Sequence, residues 1–465
     1  MKNKIFLIAP LLLCSCAAEQ TFSLSDITDR IESGDYKVVN EILEQNSANI
    51  DPVRMDSIKQ TMDRLKADFP YTIEEGTKLI AEKYPFVTQE IVQKWIDLKY
   101  IEVKNFDGVP YMFRKAVSNL KRVVPELSVG NKYDSFVIQQ GYEELAANAI
   151  AAAEKGIADT KTVTIKFTVD VKEREYQKED LLRVWIPCPR ETSRQSNFKL
   201  ISSSDSITFS EGSNHNSMYM EKQNPSGQAE HFEVVYSYDV KSQYVSPETI
   251  MNNKKAYDTE SELYKKYTSS QYPHININEK MKNLAMSIVG TETDPFKQAS
   301  LVYDWIDTNY PWAGAREYST IPNIPEYVLN SNHGDCGQVS LLYITLLRNL
   351  GIPAKWESGF MLHPGRDGMH DWAEVYYEGI GWVPADMSFG NIQTAKDENI
   401  RNFYKTGLDF YRLAANDGYG DKFSPEKKFI RSETVDFQLG EVETTTQNLF
   451  YYKDWRPHYE IISIK

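Results

Sequence analysis

The chain has 465 residues, 41% of them apolar and 12% aromatic, with 66 acidic against 52 basic side chains and a formal charge of −14. That length allows several domains, and the apolar fraction excludes a disordered chain. The acidic balance argues against nucleic acid, or a strongly anionic membrane surface, as the main partner.

The first sixteen residues read as a targeting segment and not as fold. Lys2 and Lys4 form a basic start, and Ile5 to Leu13 is an apolar run too short to span a bilayer. The run ends in Leu13-Cys14-Ser15-Cys16, which resembles the lipobox of bacterial lipoproteins. The resemblance implies a signal peptide over 1–16, lipidation of Cys16, and an exported, membrane-anchored protein. An ordinary secretory signal cut nearby is the alternative. Removal of Lys2 and Lys4 would take the formal charge from −14 to −16. Of the four cysteines, Cys188 and Cys336 then remain, and in an oxidising compartment a bond between them is possible on arithmetic alone.

Residues 20–158 read as a helical region, with apolar residues at helical spacing (Leu79, Ile80, Tyr84; Ile91, Val92, Trp95, Ile96) and a helix-forming stretch from Ala146 to Ala153. No catalytic pattern occurs there, so its default role is structure or docking. The period then changes. Val163, Ile165, Phe167 and Val169 alternate with polar residues, and Leu182 to Pro187, Ile207 to Phe209, Ser217 to Glu221 and Phe232 to Tyr238 follow as further strands. An antiparallel β-sandwich-like domain over 160–250 is expected. Cys188, ending one strand between two prolines, reads as structural. Helical stripes return with Met281, Leu284, Ala285, Ile288 and with Ala299, Val302, Tyr303, Ile306, Tyr310, opening a third domain over 270–410. Residues 411–465 form a strand-rich extension, for which Val435 to Leu439 is one expected strand. The fold class is α+β.

The chemistry concentrates in the third domain. Gly334-Asp335-Cys336-Gly337-Gln338 leads into an apolar helix from Val339 to Leu350, stopped by Gly351 and Pro353. Cys336 therefore sits at a helix N-terminus, where the dipole and free N–H groups favour a thiolate and can hold an oxyanion. Met369 to Tyr377 alternates like a strand, turns at Glu378-Gly379-Ile380-Gly381, and returns as Trp382-Val383-Pro384-Ala385-Asp386. The two ends of an antiparallel hairpin lie side by side, which brings the Asp386 carboxylate within reach of the His370 imidazole. The carboxylate would fix the tautomer and the imidazole would activate the thiol.

The stretch from Tyr310 to Gly390 resembles the core of the transglutaminase-like superfamily. It carries, in order, Gly334-Asp335-Cys336, Gly351-Ile352-Pro353-Ala354, His370-Asp371-Trp372-Ala373-Glu374-Val375 and Gly381-Trp382-Val383-Pro384-Ala385-Asp386. The strands from 160 to 240 are similar to a β-domain that precedes this core in some bacterial members. The resemblance implies a papain-like core with Cys336 as nucleophile, His370 as general base and acid, and Asp386 as the orienting group. It implies a thioester acyl-enzyme resolved by water, as in peptidases and amidases, or by an amine, as in transglutaminases. It also implies a side chain upstream of the cysteine completing the oxyanion hole, for which Trp312 is the candidate by position.

The expected function is a cysteine-dependent hydrolase of amide or peptide bonds, acting on a peptide, protein or cell-wall-derived substrate near the membrane. Acyl transfer to an amine and a non-catalytic surface scaffold are the alternatives. His333, Asp335, Cys336 and His370 lack the spacing of a zinc site, and no phosphate-cradling or calcium-loop pattern occurs, so no cofactor is expected. Glu357, Ser358 and His363 fall between the cysteine helix and the histidine strand and are candidates to line a cleft.

Overall fold

The computed structural model describes residues 24–128, 136–157, 159–173, 181–223 and 228–465. Cys14 and Cys16 lie outside them.

Eight helices are described before residue 155, among them Pro52–Asp68, Ile73–Lys83, Gln89–Asp97, Ala116–Val123 and Phe136–Glu154. Their starts are chemically marked. Thr72 and Glu75 exchange a capping box, and Asp51 and Thr88 accept from the first-turn amides. One part of this region is not helical. Val103–Phe106 pairs with Val109–Met112 across Asp107-Gly108, and Tyr71–Thr72 adds a third strand. Asp107 and Gly108 have φ of 51° and 87°, the pair of positive values that a tight hairpin turn requires.

The β region forms two sheets facing one core. Trp455–Ile464, Thr160–Val171, Glu230–Lys241 and Gln195–Ser203 make one sheet; Asn448–Leu449, Glu441–Thr444, Leu181–Pro187, Ser217–Gln223 and Thr208–Phe209 make the other. Val163, Ile165, Phe167, Phe232 and Val234 of the first meet Val184, Ile186, Met218 and Met220 of the second. The strands after residue 440 thus complete sheets begun before residue 245. The segment Val435 to Leu439, expected as a strand, is irregular. Its backbone groups are taken elsewhere: Gln438 and Leu439 amides donate to Glu433, Arg431 donates to the Asp436 carbonyl, and Asn416 donates to the Phe437 carbonyl.

In the third region the helix Cys336–Asn349 packs on a four-stranded antiparallel sheet ordered Gly381–Ala385, Gly368–Tyr377, Ala354–Met361, Arg412–Asn416. From Gly337 to Asn349 every residue of the helix is buried. Helices Glu279–Val289, Pro295–Asn309 and Ile324–Ser331 surround it and share its core. The N-terminal region docks on this domain along 312–317. Asn119 exchanges two hydrogen bonds with Gly314 (3.0 and 2.9 Å), Ala313 joins the N-terminal core, and Arg114 bridges Asp68 and Glu317.

Candidate active site

Asp335 and Gln338 fix the start of the cysteine helix by a reciprocal capping box (3.3 and 3.1 Å), which leaves Cys336 as the first helical residue. Tyr318 donates its hydroxyl to the same Asp335 carboxylate. Gly337 must be glycine: a Cβ there would meet Asp371 Oδ2 and Trp356 Cη2 at 2.8 Å, and the Tyr318 hydroxyl closer still. The small residue lets the helix start press directly on the histidine strand.

His370 and Asp386 are brought together. Register runs from Tyr377 opposite Gly381 to Ala373 opposite Ala385, which carries Asp386 past the strand end toward the imidazole. His370 Nε2 is 2.7 Å from Asp386 Oδ2. The same oxygen accepts from Arg412 at 3.2 Å, and Oδ1 accepts from the Ser388 amide at 3.1 Å. Arg412 is fully buried and also bonds Asp409 at 3.3 Å. His370 Nδ1 has no hydrogen-bond partner among the described residues. Phe389 packs 5.3 Å from the imidazole, and Tyr142, His363 and Tyr404 extend that aromatic wall.

The thiol is placed one residue along. Cys336 is half-buried, and Sγ donates to Asp371 Oδ2 at 3.3 Å. Asp371 Oδ1 in turn accepts from Gln438 at 2.7 Å, and Gln438 also donates to the His370 carbonyl. No hydrogen bond joins Cys336 to His370 among the described residues. Burial first, then the Asp371 and Asp335 carboxylates, push the thiol well above its ordinary value. Burial and the two carboxylates act on the thiol against the half-charge of the helix N-terminus, which favours the thiolate. Asp371 itself is raised by burial and by the charge of Asp436.

Trp312 runs beside the cysteine loop. Its backbone forms a parallel bridge to Gly334, Ala313 donates to the Gly334 carbonyl at 3.1 Å, and its indole is 40% exposed under the Arg122 guanidinium at 4.2 Å. Cys188 is buried in the sandwich core with its thiol against the Pro189 carbonyl at 3.6 Å, and burial pushes it strongly up. Cys188 and Cys336 are both free thiols, not bonded to each other.

Glu357, Ser358 and His363 all have partners of their own. Glu357 is held by Arg194 and by Trp372 Nε1 (2.6 Å), Ser358 accepts from Asn416 (2.8 Å), and His363 faces Asp409 (3.2 Å). Glu357, Glu374 and Asp417 bring oxygens within 4.8 Å of one another, but Lys355 lies among them, 3.0 Å from Glu374 and bonded to Asp417. Two lysine and arginine cations already balance that cluster. Arg412, Asp371 and Gln438 are the site residues that sequence reasoning missed. Asp371 was visible between His370 and Trp372. The other two come from a strand and a loop far along the chain.

Residues 282–387 match the profile of the transglutaminase-like superfamily. In sequence, the uncharacterized protein YebA of Bacillus subtilis is 24% identical over 140 residues, 26% of this chain and 19% of its own length. An uncharacterized protein of Haemophilus influenzae is 27% identical over 143 residues, 25% of this chain and 38% of its own. The chain thus spans less than two fifths of the length of either curated relative. Among solved structures, a candidate cysteine protease from Cytophaga hutchinsonii is 14% identical with a TM-score of 0.38, over 64% of this chain and 98% of that one. The periplasmic domain of TgpA from Pseudomonas aeruginosa is 15% identical with a TM-score of 0.26, over 56% and 93%. Cys336, His370 and Asp386 all fall inside the matched stretch, and residues 282–387 are a transglutaminase-like domain.

Proposed function

We propose that this protein is a cysteine-dependent amide hydrolase, with Cys336 as nucleophile, His370 as base and acid, and Asp386 as the orienting carboxylate. One observation carries the reading. The imidazole is locked through Nε2 onto a carboxylate that Arg412 holds in place, and the nitrogen left over, Nδ1, is unbonded in a strand whose next residue touches the thiol. The chemistry needs the Cys336 side chain to leave Asp371 and meet His370 Nδ1. Thiol–imidazole bonds of this kind commonly tighten only when substrate binds.

With burial and the Asp371 and Asp335 carboxylates pushing the thiol up, attack is base-assisted. As Sγ bonds to the amide carbon, its proton passes to His370 Nδ1. The tetrahedral oxyanion is held by amides at the helix start, with Trp312 as the completing group. Collapse breaks the C–N bond, the imidazolium returns its proton to the leaving amine, and a thioester remains. Water, deprotonated by His370, then releases the acid and the thiol. Hydrolysis is favoured over acyl transfer because transfer needs a site that excludes water and admits a neutral amine.

The test is amine release from a pool of peptide amides, with labelled primary amine in excess. Wild type is expected to release free acid, and Cys336→Ala and His370→Ala to release none. Stable incorporation of the amine ahead of acid release would identify a transglutaminase instead. We further propose export and anchoring through Cys16, so that Cys16→Ala moves the protein from the membrane fraction to the soluble one. A variant that stays membrane-bound contradicts this.

A further inference from the structure

Resting on that reading, we infer that the mouth of the site carries a subsite for an anionic group, so that the preferred substrates are acidic peptides with a carboxylate beside the scissile amide. Two arginines make it. Arg122 comes from the N-terminal helix Ala116–Val123 and lies over the Trp312 indole at 4.2 Å, on the segment bridged to Gly334, two residues before Cys336. Arg366 comes from the turn that leads into the histidine strand, four residues before His370, and donates to the Tyr142 hydroxyl at 3.0 Å. The two are 244 positions apart in sequence, and the fold sets each beside the site: Arg122 through Trp312 and Gly334, and Arg366 through Tyr142, which packs 4.7 Å from Phe389, itself 5.3 Å from the His370 ring; burial first, and then the charge of Arg366, lower Arg122.

Neither guanidinium has a carboxylate within ion-pair distance among the described residues. That is unexpected in a chain with 66 acidic residues against 52 basic ones. Local acids are turned elsewhere: Asp367, next to Arg366, accepts from Tyr459 at 2.9 Å. Arg114, close to Arg122 on the same docking face, is by contrast fully paired with Asp68 and Glu317. Arg122 rests on the Trp312 ring and Arg366 is held at the Tyr142 hydroxyl by one N–H, so each keeps further N–H donors for a planar anion. Bringing two like charges together without a counter-ion is unfavourable, and a substrate carboxylate between them would relieve it.

Alkylation of Cys336 tests this without any knowledge of the substrate. Iodoacetate carries the carboxylate and iodoacetamide does not, and the two otherwise deliver the same carbon. The second-order rates at Cys336, mapped by mass spectrometry, give a ratio. In wild type the iodoacetate-to-iodoacetamide ratio is expected to exceed that of free cysteine at the same pH, and to fall with added salt. In Arg122→Gln/Arg366→Gln it should drop by about five- to tenfold, and Arg122→Lys/Arg366→Lys should restore part of it. A ratio unchanged in the glutamine double variant, or no alkylation of Cys336 by either reagent, overturns the subsite. Alkylation with the expected ratio but no amide hydrolysis would leave the subsite standing and defeat the hydrolase reading; hydrolysis with a flat ratio would do the reverse.

Discussion

At the scale of the residue, Cys336 and Asp371 decide the acid–base state of the site. Their hydrogen bond and the carboxylate charge both disfavour a thiolate. Asp371→Asn should therefore move the midpoint of the pH dependence of Cys336 alkylation to lower pH; an unchanged or higher midpoint would show that Asp371 does not control the thiol. Arg412 presents a different balance. It is a fully buried cation bonded to Asp386 and Asp409. The field of Arg412 and the neighbouring His363 hold Asp409 far below the usual carboxylate range despite its burial. Arg412→Met would strand two buried carboxylates, and removing one partner of such a group costs about 3–5 kcal/mol. Denaturant unfolding should show that loss. A stability within about 1 kcal/mol of wild type would mean the carboxylates find other partners.

At the scale of the element, the site depends on how closely the cysteine helix meets the histidine strand. Gly337 sets that approach. Gly337→Ala inserts a methyl against the Tyr318 hydroxyl, Asp371 and Trp356. Overpacking of this kind costs about 1–3 kcal/mol, so the melting temperature should fall, and Gly337→Ala/Tyr318→Phe should recover part of it. No recovery would place the clash elsewhere. The hairpin of His370 and Asp386 was readable because strand alternation and a Gly-rich turn fix which ends meet. The cysteine helix was readable because its cap, apolar run and Gly-Ile-Pro stop are all local. Arg412 and Gln438 were not readable, since their roles come from chain segments 26 and 68 residues from their partners. The hairpin Val103–Met112 carried an Asp-Gly turn signal that the surrounding helical periodicity masked. Val435 to Leu439 alternated like a strand, but neighbouring side chains claimed its backbone groups.

At the scale of the whole molecule, buried titratable groups make stability depend on pH. Burial raises Glu317 to about 7, and Asp371, Glu433 and Asp436 are raised in the same direction. For these the folded state keeps protons that the unfolded chain releases near pH 4, so their contribution to stability is lost as pH rises toward and through the folded values. Buried His215, His274, His333 and His363 are lowered by burial, His274 to about 4, and act oppositely: their contribution is lost as pH falls below about 6.5. Between roughly pH 6.5 and 8 the carboxyls outnumber the opposing Lys427, which burial lowers to about 8, and stability should decline by about 1.4 kcal/mol per pH unit for each proton retained in excess. Urea midpoints should fall from pH 6.5 to 8. A midpoint that rises steadily to pH 8 would contradict the buried carboxyl group.

The N-terminal helices bear on the same chemistry, because Asn119, Arg114 and Arg122 hold the segment 312–317 against the cysteine loop. All of this converges on one thiol forming one bond. Acid-quenched wild-type protein, taken during turnover of a peptide amide and examined by intact mass and peptide mapping, should carry a hydroxylamine-labile acyl group on Cys336. His370→Ala should carry none, and Cys336→Ala should neither carry it nor release product. Product release by Cys336→Ala at the wild-type rate would contradict the account.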